Sequence, residues 1–434
     1  MPRRLQIDPE EGLNNGIKNL AINLPAESIR KHAKQSGFVI REKKIDASLF
    51  LWNLVLGFGS SMQKTLAALK KRYCVIAAEE LAPSSFFERF TPKLVAFLHA
   101  VLQDLLASTV RSELPRKILE RFQDVLIIDS TIVRLLDTLA KIFPGAGMPA
   151  GVKISTILSV ATSNLHRMTI HAGKRAEVKT LRLGEWVRNN LLLFDMGYFK
   201  FAVFDRIIAL GGHFITRLHE NADPTIVSLN RTCRGNAITQ VGKKLRDCLS
   251  FLKREVLDVQ VKVNLKRRIY RGKQKIVPLV LRLVGILNPE SQEYHLYLTD
   301  LPPETFSPEQ IADLYRGRWC VELLFKELKS RYALDIIRTE KPEIVEALIY
   351  SAMITLVVSR RLFVGYRDAM AKSGQKVTAD RWARFFVEYA GILLRRVLKA
   401  SGIEYSESIL LSMALKETVS PDPHRESLED VWDV

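Results

Sequence analysis

Apolar residues near the start of the chain recur at helical intervals. FLWNLVLGF, SMQKTLAALKKRY and FTPKLVAFLHAVLQDLLAS each carry the spacing of one buried helical face, and GFG and APSS interrupt them. Residues 1–115 therefore read as mainly helical. At Val125 the texture changes: VLIID is a short continuous apolar run closed by Asp129, the pattern of a buried strand with an acid at its C-terminal end. Beyond FPGAGMPAG, VKISTILSVATS alternates with a period of two, and RMTIHAGK can return antiparallel to it. EVKTLRLGEWVRNN, residues 177–190, then reads as a helix. LLLF closed by Asp195 repeats the first strand's pattern, and YFKFAVFDRIIALGG and HFITRL add a helix and a strand. Residues 219–303 are β-rich, with DVQVKVNLKRRIYRGKQK, IVPLVLRLVGIL and EYHLYLTDLP as strand-bearing stretches. Ser307, Pro308 and Gln310 supply an N-cap, a first helical residue and a capping box for a helix running to about residue 330. Its apolar stripe is Ile311, Leu314, Val321, Leu324, Phe325 and Leu328. EALIYSAMITLVVSRRLF and VTADRWARFFVEYAGILLRRVLKA add further helices before a polar, proline-containing tail from Val419.

The polar positions of the helix after Ser307 carry the first chemical signal. Tyr315, Arg318, Glu322 and Lys329 are separated by three, four and seven residues. On a continuous helix, that spacing keeps them within roughly 60° of one face. A carboxylate thus sits among an aromatic ring and two cations, although weak surface ion pairs give the same spacing. Composition favours the functional reading. Lys and Arg number 65 against 47 Asp and Glu, a formal charge of +18, which suits a polyanion and above all nucleic acid. Residues 262–275 hold seven Lys or Arg and no acid, so Lys266, Arg267, Arg268 and Arg271, with Tyr270 among them, are candidates for lying along a phosphate backbone. A lysine-protected edge strand is the alternative.

Other classes recede. Cys74, Cys233, Cys248 and Cys320 are scattered and lack CxxC spacing, so neither disulfides nor structural zinc is indicated. His166 and His171 come nearest to ligand spacing, but no Cys or Glu accompanies them. No run of eighteen uncharged apolar residues occurs and MPRRLQIDPEEG lacks a signal peptide's apolar centre, so a cytoplasmic protein with no membrane partner is expected. At 434 residues and 47% hydrophobic content, there is material for two or three domains.

Asp129 and Asp195 close two strand-like runs, and functional groups of an open sheet collect at strand ends. With Glu322 they form a set of three acids able to hold two Mg²⁺ ions beside a phosphodiester. Three strands, a helix, a strand, a helix and a strand is the order of a ribonuclease H-like α/β core. The chain also fits the pattern Tyr, two residues, Arg, three residues, Glu, six residues, Lys at every gap, with IIDST, FDMGY and a β-rich insertion upstream in order. In this it resembles the DDE transposases of bacterial insertion sequences, specifically the insertion sequence 4 group, across roughly residues 30–365.

That resemblance implies an α/β fold with a ribonuclease H-like catalytic core, interrupted by a β-rich insertion and flanked by helical N- and C-terminal regions. The expected divisions are a helical DNA-binding region at 1–115, the core's first part at 116–218, the insertion at 219–303, the core's second part at 304–370, and a helical region with its tail at 371–434. It implies Asp129, Asp195 and Glu322 as catalytic metal ligands, two Mg²⁺ ions with Mn²⁺ able to substitute, and Tyr315, Arg318 and Lys329 on terminal phosphates. The reaction implied is cut and paste through a hairpin intermediate, on double-stranded terminal inverted repeats and target DNA, by a dimer formed on DNA. One departure stands out: EYHLYLT has Tyr294 and Tyr297, with packing as their expected role, and no Trp to hold a flipped base. Another ribonuclease H-like nuclease, or a non-catalytic DNA-binding descendant, is the alternative.

Overall fold

The computed structural model describes residues 9–403 except 41–44, 61–64, 109–116, 232–239, 250, 253, 267–275, 333, 335–336 and 373. The chain divides into two compact units: residues 1–109 with 326–434, and residues 110–325. Arg267, Arg268, Tyr270 and Arg271 of the expected DNA clamp, and Cys233, lie outside the described residues.

The first unit is helical. It opens with α1 (Pro9–Asn23), α2 (Ala26–Gln35), α3 (Ala47–Asn53), α4 (Leu66–Ala77), α5 (Pro83–Phe87) and α6 (Pro92–Ala107). Local chemistry fixes several starts. Asp46 accepts from the Leu49 N–H to cap α3, Thr65 accepts from Ala68 to cap α4, and Pro83 and Pro92 stand in the first turns of α5 and α6, where no N–H is needed. Phe38, Phe50, Tyr73, Phe86 and Phe97 interlock in its core.

The second unit is built on one sheet. Its strands are β1 (Asp124–Arg134), β2 (Gly151–Ser159), β3 (Asn164–Ala172), β4 (Asn190–Phe194), β5 (His213–Arg217), β6 (Thr225–Leu229), β7 (Val256–Lys266), β8 (Ile276–Leu287) and β9 (Tyr294–Thr299). They order as β3-β2-β1-β4-β5-β9-β8-β7-β6, with β1, β4 and β5 parallel and the remaining neighbours antiparallel. The β-rich stretch therefore continues the sheet, because β9 pairs with β5. α7 (Phe201–Ala209) packs Phe204 against Phe194 and Phe214 over the sheet. α8 (Leu245–Leu249) buries Leu245 and Cys248 in the same core.

Three expectations need correction. EVKTLRLGEWVRNN is no helix: it makes isolated 3₁₀ turns at Glu177–Lys179 and Glu185–Val187 joined by extended chain. Asp129 does not end its strand, since β1 runs on to Arg134 against β2; only the parallel pairing with β4 stops, at Ile128 and Phe194. The helix after Ser307 is two: α9 (Pro308–Arg316) and α10 (Trp319–Ser330). The capping box forms, with Gln310 N–H to Ser307 Oγ at 3.3 Å and Ser307 N–H to Gln310 Oε1 at 2.9 Å. At Gly317 the bonding tightens to i→i−3, as Arg318 donates to Tyr315, Cys320 to Gly317 and Val321 to Arg318, so the single-face geometry drawn from a continuous helix does not hold.

The entry to α9 is fixed by a buried ion pair. Arg282 on β8 donates to Asp258 on β7 at 2.9 and 2.7 Å and to the carbonyls of Leu301 and Phe306 at 3.2 and 2.9 Å. Both side chains are 1% exposed.

The first unit closes with α11 (Pro342–Lys372), α12 (Ala379–Glu388) and α13 (Ala390–Ala400). Among the described residues, α11 alone is long and apolar enough to cross a membrane by length and composition, and 78% of its most apolar window is buried inside the protein. It packs on α1 and α6, and its apolarity is that of a central core helix.

Candidate active site

Asp129 and Asp195 come together through strand register. β1 and β4 run parallel with Ile128 opposite Phe194, so the next residue on each chain is an acid, and the two carboxylates begin level on neighbouring strands. Buried apolar residues, Val125–Ile128 on β1 and Leu191–Phe194 on β4, hold that register, which a polar substitution in either run would disturb.

Glu322 arrives from α10, and Arg318 at the helix break joins it to Asp129. Arg318 Nη1 donates to Asp129 Oδ2 at 3.0 Å and Nη2 to Glu322 Oε1 at 2.5 Å. The guanidinium is only 15% exposed, and its carbon lies 5.8 Å from the centroid of the Tyr315 ring. Burial works against its charge, yet Tyr315, Glu322, Asp195 and Asp129 hold its pKa above the ordinary value. Tyr315 is buried and tilts against Tyr297 of β9 at 5.3 Å; burial pushes its hydroxyl up to about 12. Tyr297 thus packs, as does Tyr294, whose hydroxyl donates to the Arg254 carbonyl. Lys329 is half-buried near the end of α10, where burial lowers its pKa.

Asp129 is the electrostatic centre of the group. Burial pushes its carboxyl up to about 6. The Ser130 N–H at 2.7 Å and Arg318 pull it down, while the negative charges of Asp195 and Glu177 push it up further. Among the described residues, no three of His, Cys, Asp and Glu stand close enough to share one cation as they are. Arg318 lies between two of the expected ligands and neutralises both.

Glu177, Ser130 and Lys153 escaped the sequence reading. Ser130 Oγ donates to Glu177 Oε1 at 2.6 Å, and Lys153 Nζ on β2 lies 3.8 Å from the same oxygen. Nothing in the local spacing marks Glu177, because the segment read as a helix and its partners are remote in sequence. The only cue was the IDST run that already held Ser130. His166 packs on Trp186 and His171 pairs with Thr169 at 3.0 Å, both with pKa lowered chiefly by burial. Lys266 ends β7 opposite Ile276 and is exposed.

Comparison with known proteins identifies the family. A family profile described as Transposase DDE domain matches residues 120–358, more than half of the chain. The transposase for insertion sequence element IS231F of Bacillus thuringiensis subsp. israelensis is 23% identical over 419 residues, spanning 87% of this chain and 85% of that protein. The transposase for element IS1151 of Clostridium perfringens is 23% identical over 434 residues, 93% of this chain and 90% of its own. The putative transposase InsL of element IS186A of Escherichia coli is 42% identical over 73 residues, 17% and 20% of the two chains. A solved piggyBac transposase synaptic complex with hairpin DNA superposes at a TM-score of 0.46 and 12% identity, over 99% of this chain and 89% of that one, a likeness too distant to transfer any feature. The protein belongs to the DDE transposases of bacterial insertion sequences.

Proposed function

We propose that this transposase moves its element by cut and paste, with Asp129, Asp195 and Glu322 as the metal-binding catalytic carboxylates of a ribonuclease H-like core. The observation that carries this reading is the pair of links just described: the β1–β4 register sets Asp129 beside Asp195, and Arg318 ties Asp129 to Glu322. The strand order β3-β2-β1-β4-β5 supports the core assignment.

The donor set fits a divalent cation. It is all carboxylate, suited to Mg²⁺ or Mn²⁺, and Asp129 is held near pKa 6 by burial and neighbouring negative charge even with Arg318 in contact. When bound, a pair of such ions supplies Lewis acidity to the phosphodiester and to the attacking water. The chain's own residues do the rest. Asp129, with its Oδ1 bonded to the Ser130 N–H, is presented in one orientation. Arg318 neutralises the acids in the absence of a cation, and its planar fork suits a bidentate grip on a terminal phosphate once the acids are engaged elsewhere. Tyr315 backs the guanidinium, and Lys329 adds a point charge. Lys266 and the Arg267, Arg268 and Arg271 run would follow the backbone of the element end, with the helical N-terminal region as a second DNA contact and two protomers pairing two ends. Opening of the first strand would free a 3′-hydroxyl that attacks the opposite strand as a hairpin. With Tyr294 and Tyr297 engaged in packing, any flipped base in that hairpin needs another holder.

The test is incubation of a duplex carrying the terminal inverted repeat with Mg²⁺ and either the parent protein or Glu322→Ala. The parent should nick at the element end and leave a 3′-hydroxyl; the variant should bind the duplex and not cut it. Equal cutting by both removes Glu322 from the site.

A further inference from the structure

We infer that Glu177 is a positioning residue of the carboxylate site: it fixes the Ser130 end of β1, and its charge strengthens the hold of Asp129 and Asp195 on a divalent cation. The inference rests on the metal-binding reading above and adds a residue to it.

Glu177 begins a 3₁₀ turn, which Thr180 closes by donating its N–H and Oγ1 to the Glu177 carbonyl at 2.8 and 2.7 Å. The side chain is thereby aimed from a fixed backbone. One oxygen takes the Ser130 hydroxyl at 2.6 Å and lies 3.8 Å from Lys153. The other fills the space a side chain at residue 197 would need: a Cβ built on Gly197 would stand 1.6 Å from Glu177 Oε2. Residue 197 follows Asp195 by two, and Ser130 follows Asp129 by one, so a single carboxylate braces the chain just after both strand acids. Ser130, held at its hydroxyl by Glu177, donates its N–H to Asp129 Oδ1 at 2.7 Å, which carries the constraint to the acid. Tyr198, Thr180, Lys153, Asp129 and Ser130 are polar or charged groups that interact with Glu177. Lys153 opposes its charge at 3.8 Å, a loose ion pair. An accessory carboxylate of this kind both orients the ligand beside it and raises the local negative potential.

A purely structural role, neutralising buried Lys153, predicts something different. Glu177→Gln would then lower thermal stability and leave cation binding alone. The experiment uses the full-length protein without DNA, titrated with Mn²⁺ by calorimetry, and in parallel the Mg²⁺ half-saturation of terminal-repeat cleavage. Glu177→Gln should weaken Mn²⁺ binding on the order of tenfold, with the Mg²⁺ half-saturation rising more than turnover at saturating Mg²⁺ falls. Gly197→Ala, which keeps the charge and displaces the carboxylate, should shift both in the same direction. Parental Mn²⁺ affinity in Glu177→Gln and in Gly197→Ala overturns the inference. Asp129→Asn separates the two levels: if it loses Mn²⁺ binding while the Glu177 and Gly197 variants keep it, only Glu177 falls; if it too keeps parental affinity, the metal-binding reading falls with it.

Discussion

Removal of the Arg318 guanidinium should make the protein less stable and a better binder of metal. In Arg318→Ala, Asp129 and Glu322 both lose the donor that spans them. Breaking a buried pair costs about 3–5 kcal/mol. Two features reduce that figure: Glu322 is 37% exposed, and Asp129, already near pKa 6, can take up a proton instead of remaining charged. A loss of about 2–3 kcal/mol is therefore expected near neutral pH without divalent ions. The same guanidinium competes with any cation for these oxygens, so the energy lost from the metal-free fold returns when an ion binds. At about 1.4 kcal/mol per factor of ten, Mn²⁺ should bind the DNA-free variant on the order of tenfold to a hundredfold more tightly. Cleavage should fall despite the tighter metal, because the phosphate would lose the bidentate partner proposed for it. Urea unfolding in chelator and Mn²⁺ calorimetry measure the two halves separately. An Arg318→Ala protein whose Mn²⁺ affinity equals or falls below the parent's would falsify the competition.

Three further outcomes follow from groups already described. Folding raises Asp129 from the ordinary 3.8 to about 6, so the native state binds the extra proton and stability declines as pH rises between those values; in chelator, Asp129→Asn should gain on the parent by up to about 3 kcal/mol from pH 4 to pH 7 in urea titrations, and a constant gap would contradict the cause. His213 is raised mainly by its hydrogen bond to Asp300 at 2.7 Å, against burial, so its contribution is complete below the unfolded histidine pKa and lost as pH climbs through the folded one; the melting-temperature deficit of His213→Gln should shrink from pH 5.5 to pH 8.5. Arg282→Met leaves Asp258 buried without its ion-pair partner and should cost about 3–5 kcal/mol in chemical unfolding, whereas Asp258→Leu with Arg282→Met should recover much of it.

Much of the site was legible because its signals are local. The capping box at Ser307 and the apolar runs before Asp129 and Asp195 are each written within a few residues, and each forms as read. What failed depends on remote partners. Asp129 reads as a strand end because apolarity stops there, but β2 continues to pair with β1 through its polar half. The helix expected over 177–190 gave way to turns: the Glu177 carboxylate takes the hydroxyl of Ser130, remote in sequence, while the Trp186 and Asn190 side chains take the Arg182 and Trp186 carbonyls that a helix would use for its own N–H groups. Nothing near Arg318 in the sequence shows that it reaches an acid 189 residues away.

The pairing of β5 with β9 has a practical side for anyone engineering the element. A stretch that shares backbone hydrogen bonds with its host cannot be lifted out as a cassette. A swap cut at residues 219 and 303 would take β9 away from β5 and bare two strand edges, inviting aggregation. A swap confined to the segment between Lys266 and Ile276 would keep the whole β7–β8 ladder. The transplantable part of this transposase is thus the stretch of sequence between those two strands, where its basic run is densest.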